Sequence, residues 1–144
     1  MERRKFIKCT GTCCGSFVLT SIIGLSMLES CGIAGIKPIN AKNENGMVNL
    51  SLTQFVDRKF KIIRVANHDF DLGVQKLEEE NTFRVLVMLC PHAFQPVTHT
   101  GNGFICPMHG SRFAADGSVI KGPASESMPT LTYKINHEFL TIIL

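Results

Sequence analysis

Two short segments of the chain each pair a cysteine with a histidine. In the first, Cys90 is followed by His92, and in the second, Cys106 is followed by His109. A thiolate and an imidazole at these offsets in a tight turn can converge on one small target, so two such turns offer two sulfur and two nitrogen ligands. This set suits a tetrahedral zinc ion, or a two-iron cluster with thiolates on one iron and imidazoles on the other. Ligand type alone does not decide between these two metal centres.

The segments that must position these ligands are predicted to be short β-strands. Runs rich in β-branched and aromatic residues recur after residue 46 and are separated by turn residues. No window offers a convincing amphipathic helix, and residues 77–81 are predicted to be a charged hairpin tip. The pattern predicts an all-β sandwich or small barrel with strands at residues 47–52, 60–65, 82–89, 104–105, 118–120, 131–135 and 139–143.

The order of the ligands resembles that of the Rieske iron–sulfur family. Cys-x-His is followed by 13 residues and then Cys-x-x-His, and the downstream residues resemble that family's second cluster loop, hairpin and proline loop: Ser111-Arg112-Phe113, Asp116-Gly117 and Gly122-Pro123-Ala124. The resemblance covers roughly residues 47–144. It implies a Rieske-type antiparallel β-sandwich, a cluster-binding subdomain formed by two loops, and one [2Fe–2S] cluster as the cofactor.

The resemblance also implies a role for each candidate ligand. Cys90 and Cys106 would hold an inner iron, and His92 and His109 would hold an outer iron at the protein surface. Replacing two thiolates by neutral imidazoles makes such a cluster less negative, so it accepts an electron more readily. The free ring nitrogens of the two histidines could take up a proton as the cluster is reduced.

Several positions depart from the quinol-oxidising members of the family. The disulfide that ties the two loops together in those members falls here on Gln95 and Met108. Ser111 stands where they place a hydroxyl that bonds a cluster sulfide, but Phe113 replaces their second donor, a tyrosine. We therefore expect a reduction potential above that of oxygenase-type ferredoxins and below that of the highest bc-type members. Ala93-Phe94 replaces the usual Leu-Gly near the quinol pocket.

Other residues around the two loops are predicted to pack or to face solvent rather than to bind metal. Gly122 and Pro123 are expected to cover the cluster, and Met108 could pack over it as a flexible apolar lid. His99 lies between the two ligand pairs but has no cysteine at the ligand offset, so it is predicted to be a solvated loop histidine. The sequence also places His68 and His137 beside turns.

The first 30 residues resemble an export signal. Arg3-Arg4 opens a basic segment that resembles the twin-arginine motif, and an uncharged stretch follows from residue 9 to residue 28. Cys31 lies in a segment that resembles a lipoprotein cleavage box; a retained membrane helix and release as a soluble protein are the alternatives. Residues 1–30 are thus predicted to be a signal or anchor, residues 31–46 a flexible tether, and residues 47–144 the domain.

The charge balance argues against a nucleic-acid partner, and the positions of the cysteines argue against a disulfide. The chain carries 15 Lys+Arg against 12 Asp+Glu, and after residue 30 the balance is 11 to 10, which makes nucleic acid a poor partner. No cysteine pair is left for a disulfide, because four of the six lie in the signal and cleavage box (Cys9, Cys13, Cys14, Cys31) and two are candidate ligands.

The sequence predicts an exported, membrane-tethered electron carrier at the outer face of the cytoplasmic membrane or in the periplasm. It would pass single electrons from a quinol or partner redox centre to an acceptor such as a cytochrome. Enzyme activity is expected only within a complex, such as a quinol–cytochrome reductase or a molybdenum enzyme like arsenite oxidase. The alternatives are a zinc-stabilised binding module without redox chemistry and a Rieske ferredoxin that serves an oxygenase.

Overall fold

The structure, a computed structural model, describes residues 35–144 and confirms the all-β prediction. One 3₁₀ turn, Leu52–Phe55, follows the second strand. Within the described residues no helix is long and apolar enough to span a bilayer. The strands are β1 (Ile39–Ala41), β2 (Met47–Ser51), β3 (Phe60–Val65), β4 (Asp71–Lys76), β5 (Phe83–Val87), β6 (Leu89–Cys90), β7 (Gln95–Pro96), β8 (Thr98–His99), β9 (Gly103–Ile105), β10 (Arg112–Ala114), β11 (Val119–Lys121), β12 (Tyr133–Asn136) and β13 (Phe139–Ile143).

Two sheets share the first of two hydrophobic cores, which we call the base core. One sheet has the order β1-β3-β4-β5 and the other the order β12-β13-β2. Alternation along β2 buries Val48 and Leu50, and their partners across the ladder, Ile142 and Leu140, are buried as well. The period of two therefore directs one face of each strand into the same apolar interior.

We call the chain between β5 and β12 the loop half. A second hydrophobic core lies within the loop half and also includes Leu86 of β5. The loop half contains the two-stranded sheet β6-β7 and the four-stranded sheet β11-β10-β9-β8. The buried residues of this core are Leu86, Met88, Cys90, Val97, Phe104, Cys106, Phe113, Ala124 and Met128. Both candidate cysteine ligands thus lie inside this core.

Part of the predicted tether at residues 31–46 is a β-strand in the structure. Ile39–Ala41 forms β1, which pairs in parallel with β3, whereas the other strand pairs are antiparallel in the described part of the chain. Asn43 also bonds to the ring of His68 at 2.9 Å. A three-residue strand is too short to show alternation, so its sequence resembles a linker. The predicted signal at residues 1–30 and the proposed lipidation site Cys31 lie outside the described residues.

A central strand also escaped the sequence prediction. β4 pairs with β3 on one side and β5 on the other, so it is buried along its middle. Gly73 interrupts its apolar pattern because a Cβ there would lie 3.1 Å from the ring of Phe60. The charged tip after β4 is confirmed as a hairpin, closed by a 2.8 Å bond from the Leu77 amide to the Thr82 carbonyl.

Candidate metal centre

The first ligand loop is a hairpin between β6 and β7. Cys90 pairs with Gln95 across the ladder, and the Phe94 amide donates to the Cys90 carbonyl at 2.8 Å. The turn between them leaves His92 exposed while Cys90 is fully buried. Phe94 closes the turn with φ = 51°, in the left-handed region.

The second ligand loop repeats this design between β9 and β10. The Gly110 amide donates to the Cys106 carbonyl at 3.0 Å, and Gly110 has φ = 79°. The Cys106 amide in turn donates to the Ser111 carbonyl at 2.8 Å. Each loop therefore closes with a bond from residue i+4 to the cysteine carbonyl, and each needs a left-handed residue at i+4. Glycine meets this need in the second loop without strain, whereas the first uses phenylalanine.

The strain at Phe94 leads to a stability prediction. Phe94→Gly is expected to be more stable than Phe94→Ala by about 1 kcal/mol, because both variants remove the ring but only glycine adopts positive φ without a Cβ clash. The Phe94 side chain is 73% exposed, so losing the ring removes little packing. Urea unfolding of the two variants measures the difference, and equal midpoints would contradict a strained turn.

The two loops bring like ligands together in pairs. Cys90 and Cys106 lie together in the core of the loop half, and neither forms a disulfide. The rings of His92 and His109 have centroids 5.0 Å apart and planes at 86°. Within residues 35–144, no three or more Cys, His, Asp or Glu side chains are arranged to hold one metal ion. The two thiols are buried and the two imidazoles are exposed, so a pair of bridged irons, one held by sulfur and the other by nitrogen, would fit this arrangement.

The environment of Cys106 favours the thiolate form that binds metal. Burial alone would raise the pKa of this thiol. Hydrogen bonds with the backbone at His109 and Met108, and with the Cys90 side chain, outweigh burial and hold the pKa below its ordinary value. The two backbone bonds come from the same turn that carries His109, so this turn both positions one candidate ligand and lowers the pKa of the other.

The other residues singled out in the sequence lie around these loops. Ser111 is fully buried, and its Oγ accepts the Ala124 amide at 3.0 Å, which connects the segment after Gly122 and Pro123 to the second loop. Gly122 and Pro123 are themselves exposed and are joined by a cis peptide bond.

Phe113 and Met108 differ in burial. Phe113 is 1% exposed, within the core of the loop half, and its side chain has no polar atom to donate. Met108 is 61% exposed next to His109. Gln95, at one of the two family disulfide positions, instead donates its side-chain amide to the Ala93 carbonyl at 3.3 Å.

The solvated environment predicted for His99 is wrong. Its ring stacks on Phe60 at a centroid distance of 4.1 Å and meets Phe104 edge-on at 5.3 Å. Burial lowers its pKa, and its Nδ1 accepts the Gly101 amide at 3.3 Å. His99 therefore packs beside the core of the loop half.

Sequence reasoning missed two features of the site. One is the hydrogen bond from the Ala124 amide, which could not be predicted because nearly every residue type has a backbone N–H. The left-handed turn at Phe94 could have been found, because the family resemblance placed glycine at that position.

Paired cysteine and histidine loops on an all-β scaffold are typical of one class of molecule, the small β-proteins that carry an iron–sulfur cluster. The model of the Rieske [2Fe-2S] domain family matches residues 47–132, more than half of the chain. The chain therefore belongs to the Rieske family, whose cofactor is one [2Fe–2S] cluster.

Individual relatives agree with this assignment. The mitochondrial cytochrome b-c1 complex subunit Rieske of Aotus azarae is 33% identical over 84 residues, which cover 56% of this chain and 29% of that protein. The ubiquinol-cytochrome c reductase iron-sulfur subunit of Bradyrhizobium diazoefficiens is 38% identical over 53 residues, or 35% of this chain and 30% of that protein. The match thus spans less than a third of the length of these relatives.

A solved structure supports the fold. The cyanobacterial plasma membrane Rieske protein PetC3 from Synechocystis PCC 6803 superposes with a TM-score of 0.53 at 21% identity, over 65% of this chain and 95% of that one. At this identity the likeness concerns the fold alone.

Proposed function

We propose that Cys90, Cys106, His92 and His109 hold the [2Fe–2S] cluster and that the chain transfers single electrons. The cysteines would bind the inner iron and the histidines the outer iron. The observation that carries this proposal is the pairing of two buried thiols with two exposed imidazoles on adjacent loops. When bound, the cluster supplies a site that accepts and returns one electron.

The protein residues would control access to that site. The buried cysteines keep water from the sulfur side, while the exposed histidine rings face any partner that approaches. A ring nitrogen that does not bind iron can take up a proton on reduction, which would couple electron and proton transfer. A quinol could then give its electron to the oxidised cluster and its proton to a ring nitrogen that is still unprotonated.

The surface around the histidines supports an uncharged docking contact. The segments 91–96, 107–111 and 122–125 contain no Asp, Glu, Lys or Arg. Phe94 and Met108 are largely exposed within them. A partner that meets this surface would gain affinity from apolar contact with Phe94 and Met108, and the exposed Arg112 and Lys121 border the surface.

The partner proposed is a quinol-linked redox complex. Its support is the similarity to subunits described as cytochrome b-c1 complex Rieske and ubiquinol-cytochrome c reductase proteins. A molybdenum enzyme of the arsenite oxidase type is a second candidate partner.

We further propose that the chain is exported to the outer face of the cytoplasmic membrane or to the periplasm and is held there by a lipid on Cys31 or by an N-terminal helix. The support is the basic, then uncharged, sequence of residues 1–30.

The first test is the metal content of the purified full chain. We expect two irons and two acid-labile sulfides per chain, visible absorption, and an EPR signal after reduction. A colourless protein with one zinc per chain would overturn the proposal and leave the zinc-stabilised binding module. Redox titration then separates a quinol-linked carrier from an oxygenase ferredoxin, which should have a lower midpoint.

The reduction potential of the cluster should respond to a hydroxyl added at position 113. Phe113→Tyr is expected to raise the midpoint by about 60 mV, because one hydrogen bond to a charged group is worth about 1.5 kcal/mol and favours the more negative, reduced cluster. Protein-film voltammetry measures the shift. Phe104→Tyr places the same added hydroxyl elsewhere in this core and serves as the control. A fall in the Phe113→Tyr midpoint would contradict the assignment of position 113 to the sulfur side of the cluster.

A further inference from the structure

Ser111 is the single buried polar side chain within the part of the chain that the structure describes. Its backbone carbonyl accepts the Cys106 amide at 2.8 Å, and its Oγ accepts the Ala124 amide at 3.0 Å. Ser111 thus joins the second ligand loop to a segment 13 residues further along the chain. Both contacts use Ser111 as an acceptor.

The hydroxyl proton of Ser111 remains to be accounted for. A serine hydroxyl has one O–H donor and two acceptor lone pairs. Among residues 35–144 the hydrogen bond recorded for Oγ is the one that it accepts from Ala124. A buried hydroxyl that leaves its proton unpaired costs free energy, so an acceptor is expected when the site is complete.

The Ala124 amide restricts the direction in which this proton can point. The amide occupies one lone pair of Oγ and so excludes every rotamer that would turn the O–H toward Ala124. Ala124 is itself only 4% exposed, so water does not compete for its N–H. An accepted hydrogen bond also polarises the hydroxyl and makes it a stronger donor.

We propose that the backbone amide of Ala124 is a positioning group that sets the cluster's reduction potential through Ser111. The amide aims and strengthens the Ser111 hydroxyl, whose proton then stabilises the added negative charge of the reduced cluster. The segment after Pro123 would therefore tune the redox centre from behind Ser111 in addition to shielding it. This inference rests on the proposed function, since the cluster supplies the acceptor.

The sharpest test removes the amide hydrogen and keeps the side chain. Lactic acid in place of Ala124, introduced by nonsense suppression in the full-length loaded protein, replaces the N–H by an ester oxygen of nearly the same shape. We expect the reduction equilibrium to shift about tenfold toward the oxidised form, which corresponds to a fall of about 59 mV for one electron. Lactic acid in place of Ala115, in the turn between β10 and β11, is the matched control and should leave the midpoint unchanged.

A double-mutant cycle separates positioning from a general effect on the fold. In a Ser111→Ala background the ester at Ala124 should no longer change the midpoint, because the group that it acts through is gone. An equal fall in both backgrounds, or no fall with Ser111 present, overturns the inference. Ala124→Pro, which also lacks the N–H, provides a fully encoded variant for the same cycle.

Hydrogen exchange supplies a readout that is independent of the potential. Ser111→Ala should increase the exchange rate of the Ala124 amide in the loaded protein, measured by mass spectrometry, and an unchanged rate would overturn the inference. The two proposals fail in different ways. A protein that never shows iron–sulfur absorption overturns the proposed function together with this inference. A loaded protein whose midpoint ignores the Ala124 ester overturns the inference alone.

Discussion

Cys106→Ser is expected to yield a colourless protein with less than a tenth of the iron of the unmodified chain. Cys106 is 1% exposed and is fixed at its amide and its carbonyl by bonds to Ser111 and Gly110. A serine there would keep this geometry but offer a hard oxygen whose proton is far harder to remove than that of a thiol. The loss should therefore come from ligand chemistry rather than from a disrupted loop.

The measurements for Cys106→Ser are iron and sulfide content and the visible spectrum. Met108→Ala, two residues further along the same loop, removes an exposed side chain that is not a candidate ligand, and it should keep the full spectrum. Cys90→Ser should behave like Cys106→Ser, because the two thiols are paired. Retention of two irons per chain in either serine variant would show that the cysteines are not the ligands.

The second large effect is expected from Gly103→Ala. Gly103 lies in β9 opposite Ala114 of β10, and a Cβ at this position would lie 2.4 Å from the Phe113 carbonyl oxygen. The obstacle is backbone within the same ladder, so it cannot rotate away as a side chain could. We expect the free energy of unfolding to fall by about 3 kcal/mol, since the two strands must separate locally.

Urea unfolding measures the effect of Gly103→Ala on stability. Gly35→Ala is the matched control, because a Cβ there meets nothing within 4 Å, and it should change stability by less than about 0.5 kcal/mol. Because β9 leads directly into Cys106, the Gly103→Ala variant should also bind less iron. A stability equal to that of the control would mean that β9 and β10 are not packed as described.

Local chemistry explains why tight turns in the loop half were predictable from sequence. Tight turns such as the one at Asp116-Gly117 are encoded by a few adjacent residues, and the structure confirms that turn with a bond from the Ala114 amide to the Ser118 carbonyl. The paired Cys and His spacings are equally short-range. The remaining strands that were predicted followed from runs of β-branched and aromatic residues.

The features that escaped prediction depend on distant contacts. β1 forms because β3 offers an edge to pair with, and Asn40 in its centre gives no apolar signal. Gly73 weakens the pattern of β4, and the ring of Phe60, in another strand, packs closely over it. His99 stacks on the ring of Phe60, which belongs to the distant strand β3. None of these contacts is visible within a window of ten residues.

The division of the interior into two cores has a consequence for the life of the protein before it receives iron. Because Cys90 and Cys106 belong to the core of the loop half, the metal would cross-link the very residues that hold that half together. The base core contains neither residue and can form without iron. We therefore expect the newly made chain to fold in two stages. The part around the base core resists proteases from the start, whereas the loop half stays open to cleavage until iron and sulfide bind.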